Sequence, residues 1–112
     1  MNRVIKFRFY DKILNKIVYR ALQPYDCEHP DIEVMQYTGL SDAKGVEIYK
    51  GDILKSMGTD ICVVRWIDKL ACFMLENINP TEDFDKILFK LYRGHEHREV
   101  IGNIYEHSYL LK

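Results

Sequence analysis

The stretch from Met35 to Leu40 (Met-Gln-Tyr-Thr-Gly-Leu), continued by Lys44 to Leu54 (Lys-Gly-Val-Glu-Ile-Tyr-Lys-Gly-Asp-Ile-Leu), restricts this chain more than any other part of it. Apolar and aromatic residues recur there between glycines at 39, 45 and 51, and no apolar run is long enough for a helix. The spacing predicts short strands joined by tight turns: Val34 to Thr38, Val46 to Tyr49, and a further strand from Ile53. Gly45, at the end of Ser41-Asp42-Ala43-Lys44, is the residue expected at positive φ.

The rest of the chain continues the theme. Residues 3–10 alternate, with Ile5, Phe7 and Phe9 on one face and Lys6, Arg8 and Tyr10 on the other, which reads as a half-buried antiparallel strand. Ile17, Val18 and Tyr19 resume the β pattern and complete a first hairpin over 3–20. Pro24 and Pro30 mark 21–32 as a loop, so residues 1–32 can be set off as a small N-terminal lobe within a single domain spanning 1–112. Residues 61–67, β-rich on both faces, read as a central strand. Asp68-Lys69 turns it into a strand at 71–75, and 100–105 is the last strand. Asn79-Pro80-Thr81-Glu82 carries helix-start chemistry, and Phe84, Ile87, Leu88 and Leu91 follow at helical spacing. One helix is therefore expected near 80–92, with a strand at 87–91 as the alternative. The fold class is mainly β, as a β-rich α+β chain of short antiparallel strands in a highly twisted or barrel-like arrangement.

At 112 residues and 47% hydrophobic content the chain has enough apolar material for one core, and no run approaches a membrane span. Three cysteines without framework spacing, and no secretory apolar block at the N-terminus, point to a cytoplasmic protein with reduced thiols. The net charge of −1 conceals an asymmetry: residues 1–20 carry six bases against Asp11, and residues 21–60 carry eight acids against three lysines. The basic first hairpin either offers a footprint to an anionic partner or lies beside the acidic middle segment and is neutralised by it.

No catalytic motif emerges. Cys27, His29, Cys62, Cys72, His95, His97 and His107 are competent metal ligands, but their spacing is not that of a structural zinc site. No cysteine or serine sits in a nucleophile motif, and no glycine-rich loop precedes a helix. The expectation is a chain without cofactor or metal that is not an enzyme and acts by contact. One version is a protein-binding or self-associating module, with homo-oligomers formed through edge strands. The other is a small β-barrel that binds single-stranded nucleic acid through Lys6, Arg8, Tyr10 and Trp66. Burial of Trp66 in the core is the expectation that would weaken the second.

Three blocks resemble the YopX family of phage and prophage proteins. They are Ile5-Lys6-Phe7-Arg8 with Tyr10-Asp11, then Met35 to Asp42 running through Gly45 and Glu47-Ile48-Tyr49 to Gly51-Asp52-Ile53, and last Val100 to Glu106 ending in Leu110-Leu111. Residues 77–98 carry no part of the resemblance. It implies a mainly β protein encoded by a bacteriophage or prophage and acting in the bacterial host cytoplasm. It implies no reaction and no catalytic residue.

Overall fold

The computed structural model describes residues 4–56, 60–78 and 88–111. Nine strands form two antiparallel sheets among these residues, and one of the two curls into a half-barrel. The first sheet has the order β2 (Lys16–Val18), β1 (Phe7–Asp11), β3 (Ile32–Ser41), β4 (Glu47–Tyr49). The second has the order β8 (Leu88–Lys90), β7 (Cys72–Asn77), β6 (Ile61–Ile67), β5 (Asp52–Ser56), β9 (Arg98–Asn103).

The strands lie where the alternation placed them, and β6 spans the residues expected of it. β1 pairs with β3 from Phe7↔Gln36 to Asp11↔Ile32, so the first hairpin shares a sheet with the middle of the chain. The expected inward face of β1 begins later than the sequence suggested. Phe9 is fully buried, but Ile5 precedes the strand and is 65% exposed.

The predicted helix near 80–92 is corrected at its C-terminal end. Residues 80–87 lie outside the described residues. Leu88–Lys90 pair with β7 as the edge strand β8, in the register Met74↔Lys90 to Glu76↔Leu88. The helix of the described residues is a single turn, α1 (Leu91–Gly94). A β7 edge offering unpaired backbone groups outweighs a helical apolar period that is equally compatible with a strand.

The two sheets enclose one main core of Ile48, Leu54, Cys62, Val64, Leu75 and Leu91, with Leu40, Phe73 and Val100 packed against it. Burying each of the larger aliphatic side chains contributes about 1.5–3 kcal/mol. The connection between β4 and β5 is tight, and Gly51 holds φ +88° there. Its N–H bonds the Val64 carbonyl at 3.0 Å, while its own carbonyl accepts the Ile104 N–H at 2.9 Å. Gly45, as expected, sits at φ +83°.

The sheets also meet edge to edge. Beyond the end of β3, Ala43 donates its N–H to the Arg98 carbonyl at 2.8 Å, and the Asp42 carboxylate accepts the Val100 N–H at 2.8 Å. His95 Nδ1 donates to the Ser41 carbonyl at 2.6 Å. These bonds cap part of the outer edge of β9 and tie the β3–β4 turn of the first sheet to the second.

At its far end β9 runs into a close approach. A Cβ on Gly102 would lie 2.7 Å from the His107 ring, whose Nδ1 accepts the Asn103 N–H at 3.1 Å. Gly102→Ala is therefore expected to displace that ring and cost about 1–3 kcal/mol, as overpacked sites do. Chemical denaturation of the variant measures it, and an unchanged midpoint would show that the ring moves aside freely.

Candidate functional site

The basic face of β1 turns inward against the acidic stretch that follows β3. Lys6 ion-pairs with Glu47, and its ammonium lies 4.9 Å from the centre of the Tyr37 ring. Arg8 is 8% exposed and ion-pairs with the fully buried Asp52, its guanidinium 4.4 Å over the Tyr49 ring. Asp52 also accepts the Tyr49 N–H at 2.7 Å. Burial pushes the Asp52 carboxyl up to about 6, with Arg8 and the Tyr49 N–H only partly opposing it. Tyr10 stacks on Tyr105, ring centres 5.2 Å apart and nearly parallel, and donates its hydroxyl to Asn15.

Two other cations of the hairpin are also engaged. Lys12 meets Glu33 at 2.9 Å, and Arg20 grips Asp26 with two nitrogens at 2.8 Å. That grip holds the Arg20 guanidinium 4.1 Å over the Phe9 ring, and it draws the Asp26 carboxyl down to about 2. Four of the six bases in residues 1–20 are thus neutralised by acids from residues 21–60, which is the second of the two readings the charge asymmetry allowed.

Of the four residues singled out for nucleic acid, Lys6, Arg8 and Tyr10 do share one face, but the structure places Trp66 elsewhere. Trp66 is at the far end of β6, and at 40% exposed it is not the buried core residue expected. The interior it would join ends with Val64. Trp66 packs edge-on against Phe73, its cross-strand partner, with ring centres 5.1 Å apart. The two rings face a cleft of about 300 Å³ between the sheets, lined across from them by Phe7, Val34, Gln36 and Lys50. The exposed Cys27 stands at its side.

Phe7, Phe73, Gln36 and Lys50 were not anticipated as a group with Trp66. Half of the signal was present: a turn centred after Asp68-Lys69 puts Trp66 opposite Phe73. The approach of β1 and β3 to that hairpin depends on how the two sheets pack, which no local spacing encodes. A second, larger cleft of about 730 Å³ beside β9 is lined by Lys55, His97, Glu99 and Ile101. It mixes both signs of charge, and among the described residues no Phe, Tyr or Trp lines it.

Metal chemistry has no geometric support among the described residues, where no three His, Cys, Asp or Glu side chains cluster as ligands. Cys62 is buried in the core, and burial holds its thiol above the ordinary range. Among the same residues, no helix is long and apolar enough to cross a membrane.

One more surface stands out. From the tip of the first hairpin to the short 3-10 turn at Asp26–Glu28, the chain exposes Ile13, Leu14, Tyr19, Leu22 and Tyr25. Single exposed apolar residues are ordinary; here five fall within thirteen consecutive positions.

Comparison with known proteins gives the fold and the family. The chain is similar to a crystal structure of protein EF1440 from Enterococcus faecalis, with TM-score 0.66 and 20% sequence identity over 99% of this chain and 100% of that one. At that identity the likeness concerns the fold. No protein of curated function matches the chain. The family model described as YopX protein matches residues 8–112, nearly the whole sequence, and the chain belongs to the YopX family.

Proposed function

We propose that this chain is a phage or prophage accessory protein of the host cytoplasm, not an enzyme, that works by docking onto another protein or onto a second copy of itself. The observation that carries this reading is the exposed segment 13–25. It presents Ile13, Leu14, Tyr19, Leu22 and Tyr25 to solvent while Lys6, Arg8, Lys12 and Arg20 are tied up in intramolecular ion pairs. A surface that spends its charges internally and exposes tyrosines and aliphatics suits a protein partner better than a polyanion. The edge strand β2 is only three residues long and starts with Lys16, which discourages open-ended backbone pairing. The contact is therefore made by side chains.

Sedimentation velocity over a concentration series, joined to hydroxyl-radical footprinting with and without host-cell extract, tests this. The expected result is either concentration-dependent assembly or protection of residues 13–25 by the extract. Leu14→Ser with Tyr25→Ser should weaken that contact about ten-fold or more, as loss of central anchors does, and leave the fold intact. A monomer at every concentration with no protection of the segment would overturn the reading.

A further inference from the structure

The cleft beneath Trp66 has a composition that protein docking through residues 13–25 does not use. Three aromatic rings, Phe7, Trp66 and Phe73, line a space of about 300 Å³, the small end of the range for ligand sites. The edge-on packing of Trp66 on Phe73 fixes the indole while leaving it 40% exposed. A flat ring entering the cleft meets a preset stacking surface.

Two polar residues share the opposite wall. The Lys50 N–H donates to the Gln36 carbonyl at 2.9 Å, which holds the two residues side by side. Neither the Gln36 amide nor the Lys50 ammonium has a hydrogen-bond or ion-pair partner among the described residues. An amide both donates and accepts, as the edge of a nucleobase requires, and an ammonium needs an anion. A neutral aromatic side chain from a partner protein would satisfy the rings but not the lysine. A nucleotide satisfies all three groups.

We propose that this cleft is a nucleotide-binding subsite. The base stacks against Trp66, the Gln36 amide meets the base edge, and Lys50 meets the phosphate. The ligand is a free mononucleotide or one residue of a single strand. In either case the basic face of β1 takes no part, because Lys6 and Arg8 are already paired. The site is independent of the docking segment, so either can fail alone.

Trp66 is the chain's only tryptophan, which makes its fluorescence a local reporter. The four ribonucleoside monophosphates, adenosine and a short single-stranded oligonucleotide are titrated separately, with excitation at the red edge of the indole band. The expected result is saturable quenching at millimolar mononucleotide or below, the affinity that one stacked base and one surface charge supply. Lys50→Gln should weaken adenosine monophosphate about five-fold and leave adenosine unchanged. Phe73→Ala should weaken both about ten-fold or more, with folding checked by circular dichroism. An oligonucleotide that binds no tighter than the monophosphate identifies free nucleotide as the ligand, and one that binds much tighter identifies a strand. Absence of saturable quenching by every probe would overturn the proposal, as would quenching that Lys50→Gln and Phe73→Ala both leave unchanged.

Discussion

Asp52→Ala is expected to lower stability by about 3–5 kcal/mol, a large share of the roughly 5–15 kcal/mol that holds a domain of this size together. The substitution leaves the Arg8 guanidinium charged and buried under the Tyr49 ring, and it removes the acceptor of the Tyr49 N–H. Among the described residues Arg8 has no other ion-pair partner, and its Nε is buried without a hydrogen bond. Arg8→Ala should cost a similar amount by stranding Asp52. Replacing both partners by apolar residues, Arg8→Met with Asp52→Leu, should recover much of the loss, since the pair's desolvation cost vanishes with it. Urea denaturation of the two single variants and the double variant gives the coupling directly. An Asp52→Ala midpoint within about 1 kcal/mol of the parent's stability would show that water reaches the pair.

The same residue sets a pH dependence. Its carboxyl rises from 3.8 to about 6 on folding, because burial penalises the charge more than Arg8 and the Tyr49 N–H favour it. The folded state then binds the proton more tightly than the unfolded chain. The stability contributed by the tightly held proton on Asp52 is fully present below about pH 4 and is lost as pH rises through about 6. Asp52→Asn should remove that slope. The ion pair therefore fixes how the first sheet sits on the second, at a cost in stability near neutral pH.

That arrangement explains which parts of the molecule could be read in advance. The face shared by Lys6, Arg8 and Tyr10, the extent of β6 and the positive φ of Gly45 are local matters, set by a two-residue period or by one turn. The pairing of Arg8 with Asp52 spans 44 positions and left only an indirect trace, the opposite charges of residues 1–20 and 21–60. The trace allowed two interpretations, and the burial of Arg8 separates them. Trp66 is expected inside as part of a strand that is β-rich on both faces. Its exposure follows from where the interior stops, which is a property of the packed sheets. Leu88–Lys90 became a strand because β7 had an edge to fill, although the sequence there fits a helix equally well. The candidate cleft joins Phe7 to Trp66 and Phe73 through that same long-range packing.

The second large effect is expected at Asp42. One carboxylate oxygen accepts the Lys44 and Val46 N–H groups at 2.8 and 2.9 Å, and the other accepts the Val100 N–H at 2.8 Å. One side chain thus shapes the turn after β3 and fastens that turn to β9. Asp42→Ala should cost about 2–4 kcal/mol. The unpaired N–H groups contribute about 1–3 kcal/mol each when buried and less where water can replace the acceptor. Asp42→Asn keeps one acceptor oxygen and should fall between, holding either the turn or Val100 but not both. Burial opposes ionisation of this carboxyl, yet the three N–H donors and Lys44 outweigh it and hold it below the ordinary 3.8. Its contribution is therefore present above about pH 4 and lost as pH falls through the depressed value, the opposite sense to Asp52. Amide hydrogen exchange should show Val100 losing more protection than the core of β6 in Asp42→Ala. Without the Asp42 bond, part of the outer edge of β9 is uncovered, and an uncovered edge is a template for another strand. The variant should therefore aggregate at lower denaturant than it unfolds. A variant that keeps both its midpoint and the protection of Val100 would mean that the Ala43 to Arg98 bond closes the edge by itself.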